Sequence, residues 1–127
     1  MTPDARVERP PRVAVIGAAQ ASESAYVDAQ ALGHALAKLG AVVVCGGYGG
    51  VMEAAARGAA EAGGLTIGIL RGSRGEDANP WIKVPLPTGL GEARNALVVA
   101  GAEAAVSVGG SWGTLSEIAL AKKMGLD

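Results

Sequence analysis

The sequence predicts an α/β chain, a parallel sheet between two helical layers, Rossmann-like in its three-layer arrangement. Two patterns carry that expectation. From residue 13 onward, short and continuously apolar runs alternate with stretches of helical periodicity, and the links between them are brief. Strand, helix, strand with short links implies right-handed crossovers and therefore parallel strands. The composition agrees. Half of the residues are hydrophobic while aromatics reach only 3% and phenylalanine is absent, so the core must be Val, Ile, Leu and Ala, with 20 glycines letting backbones come close.

Residues 1–11 are charged, proline-bearing and without period, and read as a flexible N-terminal arm ending at Pro10-Pro11. A single phosphate- or nucleotide-binding domain is expected over residues 12–127. Val13 to Gly17 is a short apolar run closed by glycine, as in a strand buried on both faces. Ala25, Ala29, Leu32, Leu36 and Leu39 recur at helical spacing, with Ser24 as expected N-cap and Gly40 as the stop. Ala41 to Cys45 reads as the second strand, Val51 to Gly63 as an Ala-rich helix and Leu65 to Leu70 as the third strand. Arg71 to Asn79 is a polar loop. Trp81 to Val84 is expected as a fourth strand, Gly91 to Gly101 as a helix and Ala104 to Val108 as the fifth strand, with a last helix from Gly113 towards Met124. The chain then stops at Asp127, where one more strand is expected to follow.

Composition excludes several classes of function. At 127 residues and 12.5 kDa there is room for one domain. A formal net charge of −1 offers no field for nucleic acid or an anionic membrane, and the few aromatics leave little for base stacking on single strands. One cysteine (Cys45) and one histidine (His34) exclude a disulfide framework, a Cys/His zinc site and an ordinary Ser-His-Asp hydrolase. No apolar run approaches the roughly 20 residues of a membrane span, and no signal-peptide core opens the chain. The expectation is a cytoplasmic protein without metal or cofactor. The small residues around most of the helix Val51 to Gly63 further suggest a homodimer or higher homo-oligomer built on helix faces.

In an open parallel sheet, ligands bind beyond the carboxyl ends of the strands. Three glycine-bearing turns are expected there: Gly17-Ala18-Ala19, Gly46 to Gly50, and Gly109 to Gly113. Glycine admits close approach of a ligand to backbone, and the helix start that follows offers N–H groups and partial positive charge, which suits a phosphate ester. Tight strand-to-helix turns alone would account for any one of the three. A dinucleotide is disfavoured, since Gly17-Ala18-Ala19-Gln20-Ala21-Ser22 lacks the Gly-x-Gly-x-x-Gly pattern and no acidic residue ends the second strand. No Gly-x-x-x-x-Gly-Lys-Ser/Thr is present. A mononucleotide or another monophosphate ester remains. Arg94 falls in the first turn of its expected helix, where a cation opposes the helix dipole, and that placement points to an anion nearby. Thr114-Leu115-Ser116-Glu117 fits a capping box. Met52 and Glu53 open the second helix, where an acidic residue suits the dipole. Tyr48 and Trp112 sit in glycine turns, placed to stack on a flat base or pterin or to pack over a neighbouring loop. Cys45 reads as a small core residue, and His34 as a surface histidine off the Leu32/Leu36/Leu39 stripe.

The segment Gly109-Gly110-Ser111-Trp112-Gly113-Thr114-Leu115-Ser116-Glu117 resembles the Pro-Gly-Gly-x-Gly-Thr-x-x-Glu signature of the Lonely Guy family, once described as lysine decarboxylase-like. Cys45 to Glu53 is similar to that family's second glycine-rich turn, and Gly91 to Asn95 to its arginine segment. The chain is most similar to a prokaryotic subgroup that also resembles molybdenum cofactor carrier proteins. The resemblance implies hydrolysis of the N-glycosidic bond of a purine nucleoside 5′-monophosphate, with Arg94 and Glu117 catalytic at the ribose. It implies ligand binding by Gly17, Ala18, Gly46, Gly47, Gly49, Gly50, Met52, Glu53, Gly109, Gly110, Ser111, Trp112, Gly113 and Thr114. The departures are Gly109 in place of the signature proline, Ser111 in place of its second glycine, and Asn95 where a basic residue usually follows the arginine. The alternative reading is a non-catalytic carrier of molybdenum cofactor, a phosphorylated pterin that needs the same cradle and no working glutamate.

Overall fold

A computed structural model of the chain describes residues 8–109. Five strands, β1 (Arg12–Gly17), β2 (Val42–Cys45), β3 (Thr66–Leu70), β4 (Val84–Pro87) and β5 (Ala104–Val108), form one all-parallel sheet in the order β4-β3-β2-β1-β5. Helices α1 (Glu23–Lys38), α2 (Val51–Glu61) and α3 (Asn95–Ala100) complete the described chain. The side-chain period of two divides the central strands between two cores. Val15 and Val43 face α1 and α2, packing on Ala29, Val51, Ala54, Ala55 and Ala59. Ala14, Val42 and Val44 face the other way, onto Val98 and Ala102 at α3. The expected three-layer α/β arrangement is therefore the one observed. The chain steps outward from β1 to β4 and then returns to the far side of β1 as β5. That reversal puts the switch point between β1 and β5.

The small residues of α2 are used inside the chain. A Cβ on Gly33 would strike the Ala55 backbone, and one on Gly58 would strike the Gln30 carbonyl, so α1 and α2 touch backbone to backbone. Ala54, Ala55, Ala56 and Ala59 are all fully buried. The Ala-rich circumference expected to serve self-association is consumed by α1 and the sheet, which removes the ground for that expectation. The N-cap of α1 is Ser22 rather than Ser24, two residues earlier than the apolar spacing suggested: its hydroxyl accepts from the Ala25 N–H at 3.2 Å. Gly40 is the expected stop, in the left-handed region at φ +83° directly after the C-cap Leu39.

Two further expectations shift. The fourth strand is Val84–Pro87, not Trp81 to Val84, and contains both prolines. Residues two apart present their amide positions to the same side, and β4 pairs only with β3, so Pro85 and Pro87 sit where no ladder N–H is needed. Trp81 instead lies in the approach to that strand, where its carbonyl accepts from the Thr66 hydroxyl at 2.7 Å and its ring carries the Arg57 guanidinium at 5.5 Å. The helix expected over Gly91 to Gly101 begins as a 3-10 turn, Gly91–Arg94, and becomes α-helical only at Asn95. Gly91 has φ +60°, outside helical backbone, so the chain must turn tightly before α3 can start. The end of the expected arm is already tied to the sheet, since the Val42 N–H donates to the Pro11 carbonyl at 2.8 Å. Arg12 and Glu103 clasp the start of β1 to the entry of β5 through a backbone N–H and a guanidinium hydrogen bond of 3.0 Å. No helix among the described residues is long and apolar enough to cross a membrane.

Candidate functional site

The carboxyl ends of the strands bring together Gly17 from β1, Cys45-Gly46 after β2, Arg71 after β3 and Gly109 after β5. The first two glycine turns are knitted to each other. The Val51 N–H, first of α2, donates to the Ala18 carbonyl at 3.0 Å. Gly50 is the N-cap at φ +64°, and a Cβ there would meet Ala18 and Ala19 backbone atoms. Gly17 has a packing reason of its own: a Cβ would run into the Val51 side chain and, at 2.7 Å, the Val108 carbonyl. Thus Gly17, Ala18 and Gly50 hold the turns together, and Gly47, at φ +84°, bends the second one. Gly49 approaches the Ala19 carbonyl.

Gly46 is different, because what fills the space of its missing side chain is a charge. A Cβ at Gly46 would collide with Nη1 of Arg94 and, at 2.5 Å, with Sδ of Met52. Arg94 ends the 3-10 turn before α3, and that turn swings its side chain inward over the second glycine turn. The residue is only 7% exposed. Its Nε is buried without a hydrogen-bond partner, and its Cζ lies 5.6 Å from the centroid of the Tyr48 ring. Among the described residues no carboxylate pairs with it. A buried guanidinium without a counter-ion is costly unless something anionic approaches it. Arg94 is therefore no solvated surface arginine.

Tyr48 is the platform of this arrangement. Its hydroxyl accepts from the Gly72 N–H at 3.1 Å, and its carbonyl from Asn79 Nδ2 at 2.8 Å. The ring is stacked on guanidinium groups, Arg94 and also Arg71 at 5.1 Å, so a base- or pterin-stacking role competes with partners already in place. Sequence reasoning missed Arg71. The signal was available, since it is the first residue beyond a strand's carboxyl end, level with the glycine turns.

Other expected residues separate from this cluster. The Glu53 carboxylate accepts from the Tyr26 hydroxyl at 3.0 Å, tying α2 to α1. The Tyr26 phenol beside Arg57, and the carboxylates of Glu61 and Glu53, hold the Arg57 guanidinium above its ordinary pKa. Met52 is buried, with its sulfur against Gly46 and its carbonyl accepting from the Cys45 thiol at 3.8 Å. Cys45 is fully buried, as a small core residue would be. His34 is exposed on α1. Gly109 ends the described chain at φ +66°. Gly110, Ser111, Trp112, Gly113, Thr114 and Glu117, together with the expected last helix, lie outside the described residues.

Residues 10–126 match the SLOG cluster4 family. The chain belongs to that family. It is 44% identical over 115 residues to an uncharacterized protein of Archaeoglobus fulgidus, covering 90% of this chain and 75% of that one. Among solved structures it is similar to the molybdenum cofactor binding protein of Rippkaea orientalis, with TM-score 0.91 and 38% identity over 94% of this chain and 74% of that one. It is also similar to the molybdenum cofactor carrier protein of Chlamydomonas reinhardtii, with TM-score 0.88 and 37% identity, covering 93% and 74% of the two chains. None of these three relatives carries a name for nucleotide hydrolysis. For this SLOG cluster4 chain the described cluster offers cationic and backbone groups suited to an anion. Among the described residues no group of three or more His, Cys, Asp or Glu is placed to hold a metal ion.

Proposed function

We propose that the chain binds and carries a phosphorylated pterin of the molybdenum cofactor type, leaving the ligand chemically unchanged. The observation that carries this reading is Arg94, a guanidinium over nine-tenths buried, with an unpartnered Nε, laid across Gly46 at the carboxyl ends of the strands. A phosphate there gains a charge-assisted hydrogen bond and relieves a buried charge together. The Gly17 and Gly109 turns flank the switch point, where a ligand of an open parallel sheet is expected. The names of the two solved relatives favour a molybdenum cofactor over a purine nucleotide as cargo. Gly110, Ser111, Gly113 and Thr114 extend the phosphate cradle in this proposal, with Trp112 available to the flat ring. Glu117 needs no catalytic role in this reading, and the sequence Thr114-Leu115-Ser116-Glu117 fits a capping box.

The test is incubation of the protein with AMP, followed by chromatography for free base. A carrier returns AMP intact. Release of adenine above the protein-free control would overturn the carrier reading in favour of N-glycosidic hydrolysis, in which case Glu117→Gln should reduce it by roughly 10²-fold or more.

A further inference from the structure

Two guanidiniums share the Tyr48 ring, and they do so at different depths. Arg94 forms the buried floor, with its Cζ 5.6 Å from the ring centroid. Arg71 lies 5.1 Å from the same centroid, with its side chain 54% exposed. The two loops that present them are locked together, because the Gly91 N–H donates to the Arg71 carbonyl at 3.0 Å. Tyr48 itself is anchored from two sides by Gly72 and Asn79. The loops that carry both cations, and the ring between them, are thus tied together by backbone and side-chain hydrogen bonds. Like charges gathered on one ring repel, and the counter-charge here is slight. Glu92 reaches Arg71 at 3.6 Å through a carboxylate that is itself 76% exposed, a pair of the kind that contributes little in water.

We propose that Arg71 and Arg94 together form a two-guanidinium site on Tyr48 that takes a diphosphate ester, one phosphate on each arginine. The proposal rests on the anion-binding role of Arg94 argued above and specifies the ligand class of that site. One phosphate can satisfy the buried Arg94. A second, more exposed cation against the same ring suits a second phosphate linked to the first. Glu92 then acts as a displaceable counter-ion, swinging into water as the outer phosphate takes its place.

Calorimetric titration with inorganic phosphate and with pyrophosphate tests this on the full chain. The protein should bind pyrophosphate at least roughly tenfold more tightly than phosphate, about the weight of one hydrogen bond to a charged group. Arg71→Gln should cut that preference to within about threefold, and Glu92→Gln should strengthen pyrophosphate binding more than phosphate binding. Arg94→Gln should weaken both anions. Equal binding of the two anions by the parent protein, or an undiminished preference in Arg71→Gln, overturns the diphosphate site and leaves phosphate binding at Arg94 intact. Absence of phosphate binding, or phosphate binding indifferent to Arg94→Gln, overturns the anion role of Arg94 and the diphosphate site with it. Circular dichroism on each variant separates lost binding from lost fold.

Discussion

Arg94 is a charge held in the interior with no carboxylate beside it among the described residues, which is a poor arrangement for stability and a good one for an anionic ligand. Arg94→Met keeps an unbranched side chain as far as the position of Nε and removes the guanidinium, whose Cζ and Nη1 meet Tyr48 and Gly46, together with the buried, unpartnered N–H. Its melting temperature should equal or exceed that of the parent, and its affinity for phosphate should fall roughly tenfold or more, as expected for one charge-assisted hydrogen bond. A fall in melting temperature with unchanged affinity would make Arg94 a structural residue. Gly46→Ala puts a methyl group where Nη1 of Arg94 and Sδ of Met52 lie, so it should cost about 1–3 kcal/mol in urea unfolding and weaken anion binding as well. At this scale the sequence was only partly legible. The dipole argument singled out Arg94, but its burial depends on the absence of a side chain at Gly46, a contact between segments far apart in the chain. Tyr48 was legible as a glycine-turn aromatic that either stacks on a flat ligand or packs over a neighbouring loop, and not as a ring already carrying arginines.

Elements were legible where period and caps agree and less so where the tertiary context overrides them. The apolar runs of β1, β2, β3 and β5 marked strands directly, because a strand buried on both faces has few other readings. β4 was displaced because its two prolines argue against a strand unless the edge it occupies is known, and edge position follows from topology alone. The tight packing of α1 on α2 was hidden for a related reason: a small residue is equally consistent with packing inside the chain or between chains. Gly33→Ala tests the packing, since alanine favours a helix by about 1 kcal/mol over glycine yet here meets the Ala55 backbone. A net loss of stability in chemical unfolding is expected, and a gain would show that the two helices can part without cost. The Arg12–Glu103 clasp has a pH signature. The Arg12 backbone N–H, and then its guanidinium, hold the Glu103 carboxyl below its ordinary pKa of 4.5. The stabilisation is therefore present above that value and lost as pH falls through the lower folded value. Glu103→Gln should lower the melting temperature near neutrality and flatten its decline at acid pH. Parallel acid limbs for parent and variant would show that the clasp contributes nothing.

For the molecule as a whole, alternating strand and helix patterns dictate the three-layer parallel sheet and mark the carboxyl ends of its strands as the expected ligand end. They did not supply the strand order, and so not the switch point between β1 and β5 that sets Gly17 and Gly109 on either side of one crevice. Glycine turns announce a phosphate without saying what it is attached to, which is why a purine nucleotide and a phosphorylated pterin fitted the same residues. The names of the two solved relatives shift the balance towards the pterin. The most direct test of the central claim is the pterin content of the protein purified from cells that make molybdenum cofactor, read by fluorescence after oxidation. The account predicts phosphorylated pterin copurifying with the parent chain in near-stoichiometric amount and reduced at least tenfold in Arg94→Met. Parent protein free of pterin, or an equal load in Arg94→Met, would contradict it.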